Sequence, residues 1–392
     1  MEPRKITEGV FWAGAVDRDR RLFDSLIPLP DGTSYNAYIV TGTEKTALLD
    51  TVDPSKTHEL MARLEKIGKI DYIVAHHAEQ DHSGALPAVL DKYKDAVVVA
   101  SPKGRDLLID HLHIPEGRVK TVADGEKLSL GGKTLEFIYT PWVHWPETIS
   151  TYLEEDGILF SCDLFGSHLS FSGIYIGDEE KVCEASKRYF SEVMMPFRPT
   201  IKKHLERFVK YDIKTIAPSH GPVYKDPRCI MASHAEWVSD KVRNSAVIAF
   251  ATMHGSTEEL AEALSEALWR KGVEVEVFNL AHADLGKLAI ALVDAATIVI
   301  GSPTVLGGAH PLAVSAAFLV NALRPKLRFA TIIGSFGWAG RMPEQITSHI
   351  GNLKAEMLAP VLVKGKPRAA DFDEIERLAG EIAAKHKEAG LF

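Results

Sequence analysis

Beyond residue 244 the chain changes texture, and that change restricts its fold more than any single motif. Residues 247–251, 273–278, 296–300, 329–334 and 361–363 are short apolar or alternating runs. Between and after them, residues 258–270, 285–293, 311–323, 343–350 and 373–387 have the length and polarity pattern of helices. Strands that alternate with helices pair in parallel and need helices on both faces, so five of them make an open, doubly wound sheet. The chain before this point has another rhythm. Strand-like runs at 10–16, 35–40, 46–50, 72–75, 97–100, 134–139, 148–153 and 158–161 are mostly adjacent, with helical stretches interspersed at 54–67, 84–93, 104–112, 178–195 and 200–210. That mixture favours two sheets packed together and covered by helices. The charged stretch 241–244 reads as the linker between domains 1–243 and 244–392, and 392 residues suit two cores.

One cluster of polar residues sits where a strand turns into a helix. In His76-His77-Ala78-Glu79-Gln80-Asp81-His82, four potential metal ligands, His77, Glu79, Asp81 and His82, fall within six positions. Alternate residues of an extended chain share a face, so His77, Glu79 and Asp81 can project together while His82 enters from the helix. The plainer alternative is a hydrogen-bonded polar turn, which would account for one His-x-Glu but not for all four. Imidazoles with two carboxylates suit iron or manganese better than thiolate-seeking zinc. Three more candidates stand at strand ends: His144 after 134–139, Asp163 after 158–161 and His220 after the apolar 213–217. Singly, each is an ordinary turn residue. Among the remaining histidines, His58, His111, His113, His204, His234, His282, His349 and His386 are assigned to solvated faces.

Taken together, His77-x-Glu79-x-Asp81-His82, His144, Asp163 and His220 resemble the metallo-β-lactamase superfamily. Its hydrolases carry His-x-His-x-Asp-His, whereas Glu79 replaces the second histidine here, as in the flavodiiron proteins, or A-type flavoproteins. That carboxylate adds a negative charge and a hard oxygen donor. The resemblance covers nearly the whole chain. It implies an α+β, metallo-β-lactamase-like αββα sandwich, followed by an α/β flavodoxin-like domain with a doubly wound, five-stranded parallel sheet. It further implies a non-haem diiron site, with one Fe on His77, Glu79 and His144, the other on Asp81, His82 and His220, and Asp163 bridging. Those seven residues are the expected catalytic and metal-binding set. The implied activity is reduction of O2 to water, of NO to N2O, or both, with electrons relayed through FMN.

The second domain has loops suited to that flavin. Thr252-Met253-His254-Gly255-Ser256-Thr257 brings hydroxyls, a glycine and amides to a helix start, a nest for a phosphate monoester. It is neither a Walker loop nor a Rossmann Gly-x-Gly-x-x-Gly. Ser302-Pro303-Thr304-Val305-Leu306-Gly307 and Ser335-Phe336-Gly337-Trp338-Ala339-Gly340 follow the third and fourth strands, the edge where α/β sheets bind ligands. Trp338 could stack on the flavin ring or serve packing. Two departures from the family stand out. Leu306 occupies a place where many members have Asn, and Phe23-Asp24-Ser25-Leu26 lies where relatives often place His and Tyr beside the metals.

Composition closes off other classes. The net charge of −8 and pI near 6.1 argue against a nucleic-acid partner. Three widely spaced cysteines suggest a reducing compartment without a disulfide framework. No apolar run reaches the ~18–20 residues of a membrane span, so a cytoplasmic protein is expected, independent of membranes. No rubredoxin-like extension follows, which implies a separate electron donor: rubredoxin, another reduced flavoprotein or a reduced deazaflavin. By the same resemblance the assembly is a homodimer or a dimer of dimers. Two rival readings are a metallo-β-lactamase-superfamily hydrolase with a regulatory flavodoxin domain, and an electron carrier with a vestigial metal site.

Overall fold

A computed structural model describes residues 1–338 and 340–392. The chain divides into two compact units, one of Met1–Phe190 with Phe197–Val238, the other of Ser191–Pro196 with Ser239–Phe392.

The first unit holds two sheets. Seven strands follow the order Arg4–Thr7, Val10–Trp12, Tyr38–Thr41, Thr46–Leu49, Tyr72–Val74, Val97–Ala100 and Val119–Thr121, and the last four are parallel. The second sheet orders Lys127–Ser129, Thr134–Tyr139, Ile149–Leu153, Ile158–Cys162 and Thr215–Pro218. Period-two alternation decides how they pack. Val40, Leu49, Val74 and Val99 point between the sheets onto Phe137, Ile149 and Phe160. Their neighbours Ile39, Leu48, Ile73 and Val98 point the other way, onto Leu60, Leu64, Leu86 and Leu108 of the covering helices. The result is a metallo-β-lactamase-like sandwich.

Two expected strands are each broken in two. The run 10–16 becomes Val10–Trp12 and Ala15–Asp17, because Gly14 passes so close to another segment that a Cβ there would lie 2.2 Å from the Tyr35 carbonyl oxygen. The run 35–40 divides at Asn36, whose side chain accepts from Trp12 Nε1 (2.8 Å) and donates to the carbonyls of Pro218 (2.8 Å) and Gly221 (2.7 Å). The expected helix 178–195 is α-helical only over Glu179–Tyr189. It widens to a π-turn at Phe190–Met194 ahead of Pro196, which cannot continue a regular helix.

The second unit is doubly wound. Its strand order is Glu274–Asn279, Ser245–Phe250, Thr297–Val305, Phe329–Phe336, and then a fifth position shared by Glu356–Met357 and Val361–Lys364. These strands are all parallel. Ile248 and Val299 face the Ser256–Arg270 and Ala369–Glu388 helices, while Val247, Ala249 and Ile300 face Leu288, Ala313 and Val320. The third strand runs longer than expected and folds back through Leu306-Gly307 into antiparallel Gly308–Ala309.

Three histidines assigned to solvated faces are buried. His204 hydrogen-bonds the Pro141 carbonyl, and His234 bonds Ile230 O and packs on Phe165 and Trp237. His386 lies between Thr297 and Asn244. Each ring fills a helix face that sequence alone could not distinguish from an exposed one. Among the described residues, no helix is long and apolar enough to cross a membrane.

Candidate functional site

All seven expected ligands converge in the first unit, on loops that follow strands of both sheets. His77, Glu79, Asp81 and His82 come after Tyr72–Val74 of the larger sheet. His144, Asp163 and His220 follow Thr134–Tyr139, Ile158–Cys162 and Thr215–Pro218 of the smaller one. The chain stays extended through Glu79 and coils at Gln80–Ser83. His77 and Glu79 therefore project together, whereas Asp81 swings away with the helical turn towards His220.

Two triads result, His77 with His144 and Asp163, and Asp81 with His82 and His220. Glu79 Oε2 lies 3.0 Å from Nε2 of both His77 and His144. In the other group, Asp81 lies 3.5 Å from His82 Nε2 and 3.2 Å from His220 Nε2. Asp163 stands between them and gives each one oxygen. Its Oδ2 is 3.7 Å from His77 and 3.9 Å from His144, while its Oδ1 is 3.1 Å from His82 and 3.4 Å from His220.

Three buried or nearly buried carboxylates this close repel one another unless cations compensate. Both Asp81 oxygens and Asp163 Oδ2 are buried without a partner in hydrogen-bonding geometry, which is costly for a carboxylate in a protein-only site. The donor set therefore fits two cations. Protonated imidazoles compensate in their absence. Burial opposes it, but the carboxylates of Asp163 and Asp81 close beside its ring lift His220 to about 10. Burial likewise works against ionised Glu79 and Asp163, yet the neighbouring histidines hold both carboxyls low.

A second layer fixes these side chains, and the sequence reading missed it. Glu147 Oε1 accepts from His77 Nδ1 at 2.6 Å and from the Ala78 amide at 3.0 Å. The Ser34 carbonyl accepts from His220 Nδ1 at 2.7 Å, and Tyr189 donates its hydroxyl to Asp163 Oδ1 at 2.9 Å. His82 Nδ1 stands 3.9 Å from the Cys162 sulfur. His76 points elsewhere, onto Asp50 and Thr151. The one sequence signal for Glu147 was a carboxylate three positions past a ligand histidine. A cavity of about 380 Å³, lined by Arg20, Phe23, Asp24, Glu79 and Asp81 among others, opens onto the cluster. Phe23 and Asp24 of the Phe23–Leu26 stretch thus line the same cavity as Glu79 and Asp81. Burial, then Glu79 and Asp81, push the Asp24 carboxyl up.

In the second unit the three expected loops lie at the C-terminal ends of parallel strands. Gly255, at φ 85°, turns the chain into the Ser256–Arg270 helix, whose start has no side-chain cap. Its free amides face the loop, and a Cβ at Gly255 would meet nothing within 4 Å. Thr252 Oγ1 accepts from the Gly255 amide (3.1 Å), and buried Thr257 is 3.3 Å from Ser335 Oγ. Ser302 spends its hydroxyl within the chain, on Pro303 O and the His310 amide. Pro303, Thr304, Val305, Leu306 and Gly307 form the strand end and hairpin turn. Met253, Leu306 and Trp338 stand exposed at the rim. His254, Ser256, Phe336, Gly337 and Gly340 complete the three loops, and Ala339 lies outside the described residues.

Fold and site together define a class: a β-lactamase-like metal-binding domain joined to a flavodoxin domain. Family models agree, an ODP family beta lactamase matching residues 33–221 and a flavodoxin matching 248–378. A nitric oxide reductase of Moorella thermoacetica is 35% identical over 98% of this chain and 99% of its own. Among solved structures, the rubredoxin oxygen:oxidoreductase of Desulfovibrio gigas superposes with a TM-score of 0.95 at 29% identity, covering 99% of both chains. The flavodiiron protein of Giardia intestinalis gives 0.91 at 25% identity, over 99% of this chain and 98% of that one. The chain belongs to the flavodiiron family of oxidoreductases, the type A flavoproteins.

Proposed function

We propose that this protein reduces O2 to water, NO to N2O, or both, at a pair of non-haem irons, using electrons passed through FMN from an external donor. The observation that carries this reading is the division of Asp163, one oxygen to each triad. In it, His77, Glu79 and His144 would hold one iron and Asp81, His82 and His220 the other, with Asp163 as a ligand shared by both. Their three carboxylates supply −3, matched to two divalent cations. Two ferrous ions would supply the two electrons that join two NO, and reduced FMN the further two that O2 requires.

The protein's own part is positional. Glu147 and the Ser34 carbonyl hold Nδ1–H of His77 and His220, which keeps each Nε2 turned to the metal side. Burial of the cluster keeps bulk water away, leaving the cavity beside Asp24 as the way in for small molecules and protons. In the second unit, Thr252, Thr257 and the amides at the Ser256–Arg270 helix start would hold the FMN phosphate.

The donor is a separate molecule, a rubredoxin, another flavoprotein or a reduced deazaflavin, acting in the cytoplasm. The assembly is at least a homodimer, in which the flavin of one chain serves the irons of another. Mixed dimers of Glu79→Ala and Thr252→Ala/Thr257→Ala chains should then regain about a quarter to a half of wild-type activity, and no rescue in verified heterodimers would refute the arrangement. The decisive experiment for the reaction is anaerobic reduction of protein of known iron and flavin content, followed by stopped-flow reoxidation with O2 and NO separately. Reoxidation of both centres by at least one gas is expected. Zinc in place of iron, or reoxidation no faster than free flavin, would overturn the proposal.

A further inference from the structure

Among the described residues, four aromatic rings outside the ligand set lie against its imidazoles. Tyr35, His168 and Tyr189 surround His220 at centroid distances of 6.1, 5.1 and 5.8 Å, and all three are buried. The fourth, Trp145, is only partly buried and belongs to the other triad. Its indole meets His77 edge-on at 5.0 Å and His144 at 6.3 Å. It also meets His111 at 5.9 Å, an exposed residue near the end of the Pro102–Leu112 helix. Trp145 therefore joins two ligand rings of the buried cluster to the surface. Its backbone is tied down, since the Trp145 carbonyl accepts from the Trp142 amide (2.7 Å) and the Thr148 hydroxyl (3.1 Å). Of the aromatic side chains, indole and phenol give up a single electron most readily, and the phenols beside this cluster are sealed inside.

We propose, on the diiron reading above, that Trp145 is a redox relay. It passes single electrons from a small reductant at the surface, a thiol or an ascorbate-like enediol, to the iron held by His77, Glu79 and His144. Its use lies in the turnover that the flavin cannot finish. Reduction of O2 to two waters takes four electrons, of which a ferrous pair holds two. With FMN oxidised, the oxygen is left two electrons short, and the side chains nearest the irons become the source. Trp145 yields one electron through the His77 or His144 ring and releases its Nε1 proton to water. The reductant then restores the indole with one electron and one proton. Two such passes complete the four, leaving two thiols joined as one disulfide or two ascorbates each oxidised by one electron. Without a reductant the indole radical combines with O2, forming a C–O bond, and the residue is oxygenated in place.

The test uses full-length holoprotein with oxidised FMN and ferrous irons, made by adding ferrous iron anaerobically to iron-free flavoprotein. O2 is then admitted in the presence of catalase, with and without ascorbate, and iron oxidation is followed beside peptide mapping by mass spectrometry. Without ascorbate, oxygen should be gained at Trp145 ahead of Trp142, Trp269 and Trp338. Those three are 47%, 75% and 81% exposed, and a diffusing oxidant would take them first. Ascorbate should abolish the gain. In Trp145→Phe, with iron and flavin content matched to wild type, oxidation should fall on His77 and His144 instead, and unmodified histidines there would overturn the relay. Irons oxidised by O2 while wild-type Trp145 stays intact, or a gain that follows exposure, would also overturn it and leave the reaction reading standing. Irons that O2 fails to oxidise would overturn the relay together with the O2 half of that reading.

Discussion

The metal cluster of the first unit and the loop edge of the second are both suited to holding charge, and they are built from opposite materials. The cluster is made of side chains, seven of them, five buried and Glu79 and His144 partly so, held from behind by Glu147, Tyr189 and the Ser34 carbonyl. The edge is made mainly of backbone: uncapped helix amides, a glycine at φ 85° and two threonine hydroxyls, with exposed apolar residues at its rim. A side-chain site depends on each residue's chemistry, so single substitutions should dismantle it. A backbone site depends on the fold and should weaken by degrees.

The sharpest way to break that contrast is at Asp163. Asp163→Ala should strip both irons and lower turnover by more than about 100-fold, since one partner of a buried charged network is lost, while flavin stays stoichiometric. Metal analysis beside the flavin absorbance decides it, and retention of both irons would show that the carboxylate is not shared. At the other edge, Thr252→Ala with Thr257→Ala should weaken FMN binding by roughly two orders of magnitude or more, at about 1.5–3 kcal/mol per charge-assisted bond. Iron content should not move. If flavin survives extensive dialysis, the amides alone suffice.

Glu147→Gln asks how far the second layer matters. Loss of the charge behind His77 should cost about 10–100-fold in metal affinity, measured by competition with a chelator, and an unchanged affinity would make Glu147 merely structural. A global effect, on stability and not on the site, concerns pH. Burial, only partly offset by the Ile230 carbonyl, lowers His234 to about 4 from an ordinary 6.5. The unfolded chain therefore binds the extra proton, and stability present above 6.5 is lost as pH falls towards 4. The loss is about 3 kcal/mol at ~1.4 kcal/mol per unit. Denaturant unfolding of the wild type at neutral and mildly acid pH should show it, and His234→Gln should flatten it. Last and smallest, Leu306 sits fully exposed at φ 50° in a two-residue turn whose partner Gly307 has φ 81°. Asn tolerates that conformation better, so Leu306→Asn should stabilise by about 0.5–1 kcal/mol. Calorimetry would register this as a small rise in the second unit's transition.

How much of this was legible from sequence follows the same division. Spaced histidines and carboxylates announce themselves, and the regular alternation of strands and helices exposed the doubly wound sheet. What escaped was decided by distant partners. The breaks at Gly14 and Asn36 come from Tyr35, Pro218 and Gly221 closing in from elsewhere in the chain. Glu147 looked like any turn residue until the fold set it behind His77. His204, His234 and His386 lie on helix faces where one polar ring among apolar neighbours gives no sign of burial.

The distribution of ligands has a mechanical consequence. Four come from a loop of the larger sheet and three from loops of the smaller, so any pair of ions held by all seven is a cross-link through the sandwich. Each ion would restrain the two sheets against sliding apart, as a bolt restrains two plates, and free energy of binding becomes resistance to unfolding. Chelation should then lower the melting transition of the first unit and leave that of the second in place.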